Sequence, residues 1–354
     1  MQKSIINNKY KLIILSGGSL TLYLIYRKYL RENIQMITEI YNQMKDFESL
    51  SGNKNPSDKV SKFLEGAGAT NLILKLLDEV KANLVSSFHL DDLFEKIQNS
   101  PKTQIQSLWV IFKNLSLIEF YCSTFITRVL LIVTQTEFLI IERMKLKNQN
   151  SSINTYYDIY NTLLTELWNL SKDYIKHVLA SIETQLTDVT KDIILQSKYD
   201  YKTFIGFLER FRRKIEFVIY DNASNEFYMN TMKFFFNEVE KKIESLENNE
   251  YTGGADSFKV EIHLEFYNNF YDIITSNLFQ TVLINGLDYD FKVLFDMIEI
   301  NFDNQAELSI PKIVSFMVKI KNQILDKNNS IFLLKNYKSN CFNEEMKEFL
   351  NIIY

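Results

Sequence analysis

Apolar and polar positions alternate along this chain almost everywhere with the three-and-four spacing of helix faces. The longest such stretch is Gln104 to Lys145, which contains neither glycine nor proline. Its apolar residues fall at Ile105, Leu108/Trp109, Phe112, Leu115, Phe125/Ile126, Val129 and Ile132/Val133, so the pattern predicts one helix about 60 Å long. Between Phe120 and Thr136 the apolar face broadens until Arg128 is the only charge. A helix of that kind must be enclosed, by protein or by lipid.

The same spacing predicts shorter helices at Thr70–Ser86 and Leu90–Gln98, the second stopped by Pro101. Downstream it predicts helices at Tyr156–Ala180, Ile182–Leu195, Tyr201–Tyr220, Phe227–Leu246 and Phe258–Ile284, then a shorter element near Tyr289–Ile300. Helices from Ser309 to Leu325, with Pro311 in the first turn and Ser309 as hydroxyl cap, and from Asn343 to Ile353 complete the series. Two stretches break the period, Ser49–Lys59 with Gly52 and Pro56, and Glu247–Ser257 with Gly253-Gly254.

The first residues follow a different rule. An uncharged run, Leu12 to Tyr26, lies between Lys3, Lys9 and Lys11 on one side and Arg27, Lys28 and Arg31 on the other. Leu12, Ile13, Ile14, Leu15, Gly17, Gly18, Leu20, Leu22, Leu24 and Ile25 form its membrane-compatible body, with Tyr23, Tyr26 and Tyr29 suited to the interface. Fifteen residues is short for a span, and flanking Lys and Arg stems compensate by snorkelling. An uncleaved anchor is the preferred reading over a signal peptide, because no small-residue cleavage site follows the run; a buried helix is the third possibility. The expected organisation is an anchor over residues 1–32 and a cytosolic helical domain over 33–354, with a linker at about 49–69.

Composition narrows the function. The 354 residues include only 9 Gly and 3 Pro, so elements are long and turns few, and the expected class is all-α. A net charge of -4 leaves no basic field for a phosphate backbone, which argues against nucleic acid. Cys122 and Cys341 form no disulfide framework and fit a reducing compartment, with Cys122 read as a small core residue.

Candidate chemistry is sparse. His89, His177 and His263 have no second ligand at metal-binding spacing, and His263-Leu264-Glu265 lacks the second histidine of a zinc helix. Gly66-Ala67-Gly68 and Gly253-Gly254 are too poor in glycine for a phosphate loop, and no G-x-S-x-G occurs. The expectation is a protein that is not an enzyme, with no cofactor, metal or small-molecule substrate, whose asset is a docking surface. The best candidate surface surrounds Trp109, one turn from Ile105 and Phe112 and just after the amphipathic segment holding Leu93, Phe94 and Ile97. Spacing alone leaves ordinary core packing as the stronger reading of Trp109.

Taken in order, these features resemble the peroxin-3 family of peroxisomal membrane biogenesis factors. The residues that carry the resemblance are Gly17-Gly18 within the basic-flanked segment, Tyr41 and Phe47-Glu48-Ser49, Asn99-Ser100-Pro101 followed by Trp109, and Tyr121-Cys122-Ser123-Thr124 leading into Arg128-Val129. Leu308 to Val314 and an amphipathic segment containing Phe349 close the series. The resemblance implies a single elongated helical bundle built round one very long helix, projecting into the cytosol from the peroxisomal membrane. It implies docking of peroxin-19, the carrier of new peroxisomal membrane proteins, through an amphipathic helix held in a hydrophobic groove. By that resemblance Trp109 is the groove tryptophan, and Ile97, or Leu93 on a shifted alignment, is the leucine before the proline turn. Ile105 stands where the family has a basic residue, and one residue is added between Pro101 and Trp109. A signal-anchored tether or adaptor on the mitochondrial or endoplasmic reticulum surface is the competing expectation.

Overall fold

The computed structural model describes residues 67–147, 153–183, 194–219, 227–248, 255–302 and 307–326. The expected anchor at 1–32, nearly all of the linker and the helix at Asn343–Ile353 lie outside the described residues. The described part is all-α. It comprises α1 (Ala67–Phe88), α2 (Leu90–Asn99), α3 (Lys102–Lys147), α4 (Ile153–Glu183), α5 (Tyr201–Ile219), α6 (Phe227–Glu247), α7 (Ala255–Ile274), α8 (Asn277–Phe302) and α9 (Ile310–Ile324). Two short strands, β1 (Lys198–Tyr199) and β2 (Leu308–Ser309), pair antiparallel and join the segments that lead into α5 and α9.

The 46-residue α3 is the axis, about 69 Å long at the helical rise. From Ser116 to Glu137 every residue is buried, and α1, α2, α4, α7, α8 and α9 all pack against it. Among the described residues it is the one helix long and apolar enough to cross a membrane, and its most apolar window is wholly enclosed by protein. Tyr121, Phe125, Ile126 and Val129 sit in the core with Phe266, Phe270, Phe279 and Phe291 from α7 and α8, and Tyr121 stacks on Phe291 at 5.4 Å. The polar residues of this stretch are satisfied partly by the helix itself. The hydroxyls of Ser123 and Thr124 donate to the Phe120 carbonyl at 2.7 and 3.2 Å, and that of Thr136 to the Ile132 carbonyl at 2.9 Å. Cys122 is a buried free thiol whose pKa burial pushes up, which suits a small apolar core residue.

Arg128, the single charge in the apolar stretch, is fully buried and forks onto the carboxylate of Asp290 in α8, with Nε donating at 2.6 Å and Nη2 donating to the second oxygen. Closer to the chain's other end, buried Glu119 meets Lys321 of α9 at 2.7 Å. Burial, the larger influence, lifts the Glu119 carboxyl above its ordinary range, and Lys321 partly offsets it.

Two boundaries differ from the sequence expectation for clear physical reasons. The predicted helix Phe258–Ile284 is instead two helices broken at Thr275-Ser276. There the Thr275 hydroxyl donates to the Tyr271 carbonyl at 2.8 Å and that of Ser276 to the Ile273 carbonyl at 2.7 Å. Ser276 Oγ then accepts the Phe279 N–H at 3.2 Å and starts the next helix. The gap left between the predicted elements at 285–288 is helical and lies inside α8, and Gly286 is part of it. A Cβ there would lie 3.1 Å from Arg128 Cδ and 3.3 Å from Nε, so the glycine makes room for the buried guanidinium. At α9, Ser309 stands at the cap position with extended backbone but makes no side-chain cap; it pairs with Lys198 in the strand bridge while Pro311 begins the helix. Of the predicted helix Ile182–Leu195, residues 184–193 lie outside the described residues; Ile194 and Leu195 are not helical.

The Gly286 geometry makes a prediction. Exchanging a mid-helix glycine for alanine ordinarily stabilises by about 1 kcal/mol. Here Arg128 is pinned by its fork to Asp290 and cannot retreat, so Gly286→Ala is expected to destabilise by roughly 1 kcal/mol, overpacking outweighing propensity. Chemical denaturation of the two forms measures the sign, and a gain in stability refutes the crowding.

Glu137 makes a second. It is buried, its Oε1 has no hydrogen-bond partner among the described residues, and burial holds its carboxyl well above the ordinary glutamate range. Such a group binds its proton more tightly folded than unfolded. Stability therefore falls as pH rises from the ordinary value toward the raised one, by up to about 1.4 kcal/mol per pH unit. Urea unfolding between about pH 5 and pH 8 should show this decline, and Glu137→Gln should flatten it; an unchanged slope would assign it elsewhere.

Candidate functional site

Near its start α3 is no longer enclosed on all sides. The turn from α1 into α2 is made by His89, whose left-handed backbone (φ 46) ends α1 and swings the chain back across α3. His89 is exposed, 3.5 Å from Asp92. α2 is a strongly amphipathic ten-residue helix, ended by extended Ser100 ahead of Pro101. Its Ile97 points into the core, 5 % exposed, while Phe94 on the next face stands 42 % exposed.

Phe94 packs against Trp109 and Phe112 of α3. The ring centroids are 6.5 Å apart for Phe94–Trp109, 5.9 Å for Phe94–Phe112 and 5.4 Å for Trp109–Phe112, with both tryptophan contacts edge-to-face. These three rings form one wall of a groove of about 910 Å³ bounded by α1, α2, α3 and α9. α1 contributes Asp78, Lys81 and Val85, one stripe at helical spacing, and α9 contributes Pro311, Val314, Ser315 and Val318, another. The Glu119–Lys321 pair lies in the same lining and links α3 to α9 there. Val85, half exposed, and Phe94 are the groove's most exposed large apolar side chains. An open cleft with an apolar wall and a rim of both charge signs binds by shape and burial, and its aromatic cluster is the hot-spot type of surface.

Of the residues singled out from sequence, Trp109 and Phe112 lie in the groove lining, partly exposed. Ile97 is buried on the inner face of α2, and Leu93 and Ile105 are half-buried outside the lining. The residues that sequence reasoning passed over are Val85 and the α9 wall. The signal was present in α9, where Pro311, Val314 and Val318 recur at helical spacing, but pattern alone does not say that this stripe faces Trp109.

The remaining candidates are structural. The Nδ1 of buried His263 lies 2.7 Å from the Lys259 carbonyl, and exposed His177 lies on the Phe234 ring at 5.0 Å. Trp168 is half-buried beneath Lys172. Among the described residues no group of three or more His, Cys, Asp or Glu converges as a metal site. No protein-family model and no curated protein matches this chain.

Proposed function

We propose that this chain is a docking receptor, anchored by residues 1–32 in the peroxisomal membrane, whose groove receives an amphipathic helix of peroxin-19 during assembly of peroxisomal membrane proteins. The observation that carries the reading is the cluster of Phe94, Trp109 and Phe112, presented by two helices, in a groove whose lining also includes Pro311, Val314 and Val318 of α9. A helix laid there buries its apolar side against the rings while its polar side faces water. The resemblance of the sequence to the peroxin-3 family implies a groove tryptophan that corresponds to Trp109, which supports the same reading. The function is adapter-like: binding, with no bond made or broken.

The test is titration of the protein with the N-terminal region of peroxin-19. Saturable binding is expected, and Val318→Asp, which sets a charge on the wall opposite Trp109, should weaken it at least tenfold, about 1.4 kcal/mol, while leaving helix content unchanged. Absence of binding up to about 1 mM removes the reading.

A further inference from the structure

The groove lies where the described chain stops, for Leu325 and Asp326 are themselves part of its lining. Residues 327–354 continue from that edge. Within them Met346, Phe349, Leu350 and Ile353 recur at i, i+3, i+4 and i+7, while Glu344, Glu345, Lys347, Glu348 and Asn351 fall on the opposite side of the same helical wheel. This is the pattern of a helix that buries one face in a groove.

We propose that residues 343–353 occupy this groove in the same chain, so that an incoming helix must displace them. The inference rests on the reading that the groove accepts an amphipathic helix, and it adds regulation of that site. The tether selects the occupant. Residues 327–342 can reach up to roughly 50 Å when extended and start at the groove's own edge, a length sufficient to bring 343–353 back onto it. A segment held by a short linker has an effective concentration on the order of millimolar, which a second copy or a separate protein does not match at cellular concentration. Charge does not single out the segment: the lining carries Asp78, Asp91 and Asp326 against Lys81 and Lys319, with Glu119 and Lys321 paired, so the tether and the apolar face make the choice.

The experiment uses the full chain in detergent micelles. The chain has two tryptophans, and Trp168→Phe leaves Trp109 as the sole reporter. Acrylamide quenching of Trp109 should rise at least about threefold in Phe349→Asp/Leu350→Asp, as desolvating contacts are lost. A synthetic peptide of residues 340–354 added to that variant should restore protection. If the variant loses helix content, Phe349→Ala/Leu350→Ala gives the same comparison. Unchanged quenching, or a peptide that gives no protection, overturns the proposal. So does a rise produced by Phe332→Asp/Leu333→Asp and not by the 349/350 pair, which would assign the groove to the other apolar run. Titration with the N-terminal region of peroxin-19 separates the two claims. Tighter binding, at least tenfold, to the 349/350 variant supports both. Quenching that changes as expected, with no peroxin-19 binding to either form, keeps the intramolecular occupant and removes the docking reading; equal binding with unchanged quenching does the reverse.

Discussion

Asp290→Ala is expected to destabilise the protein by about 3–5 kcal/mol. Asp290 is the carboxylate on which Arg128 forks in the middle of α3, and both side chains are out of contact with solvent. Removing it takes away the forked carboxylate from a buried guanidinium that cannot lose its proton, so much of that group's desolvation is no longer offset. The pair as a whole contributes far less than that figure, since bringing two charges out of water cancels much of their attraction. The double replacement Arg128→Met/Asp290→Leu should therefore recover most of the loss. Urea unfolding of the single and double variants measures both quantities, and additive losses would show that the ion pair is not the source.

The second large effect falls on binding. Trp109→Ala should weaken association with the peroxin-19 helix by about 2 kcal/mol or more, roughly thirtyfold or greater, by removing the largest rigid apolar surface of the groove wall. Its cost to stability should be smaller. Trp109 is only partly buried, and truncation forfeits mainly the edge-to-face contacts with Phe94 and Phe112, at about 0.5–1.5 kcal/mol each. Leu93→Ala provides the contrast, because Leu93 lies outside the lining and should leave affinity within about twofold. Calorimetric titration of the three forms distinguishes them. Equal affinity for Trp109→Ala and the unsubstituted chain would take Trp109 out of the site.

Much of this architecture was legible from periodicity. The pattern from Gln104 to Lys145 became α3 with ends two residues beyond those expected, and the helices beginning at Leu90, Tyr201 and Phe227 start at the predicted residues. Boundaries failed where polar side chains compete for backbone groups. Thr275 and Ser276 carry no glycine or proline to announce a break, yet their hydroxyls take up the carbonyls of the preceding turn and the N–H of the next. Residues 285–288, left between two predicted elements, are helical instead, and Gly286 among them is small because a guanidinium arrives from another helix.

The groove divides in the same way. Spacing puts Trp109 and Phe112 on one helix face but favours core packing for Trp109; its place in a groove is implied by the family resemblance, and Phe94 stands out only as part of the amphipathic segment that became α2. The α9 wall is not found that way, and Ile97, Leu93 and Ile105 share the same periodicity without reaching the lining. Spacing identifies which residues share a helix face but not which faces meet.

By itself, then, the sequence determined the all-α class, the register of most helices and the need to enclose the middle of α3, because each follows from local backbone preference and the cost of exposing apolar surface. Tertiary structure decided what encloses it and what opens. Arg128 and Asp290 are 162 residues apart in the chain, and Glu119 and Lys321 are 202 apart. Only packing α8 and α9 onto α3 brings these groups together, and that same packing sets the α9 stripe across from Trp109 and leaves the groove between them.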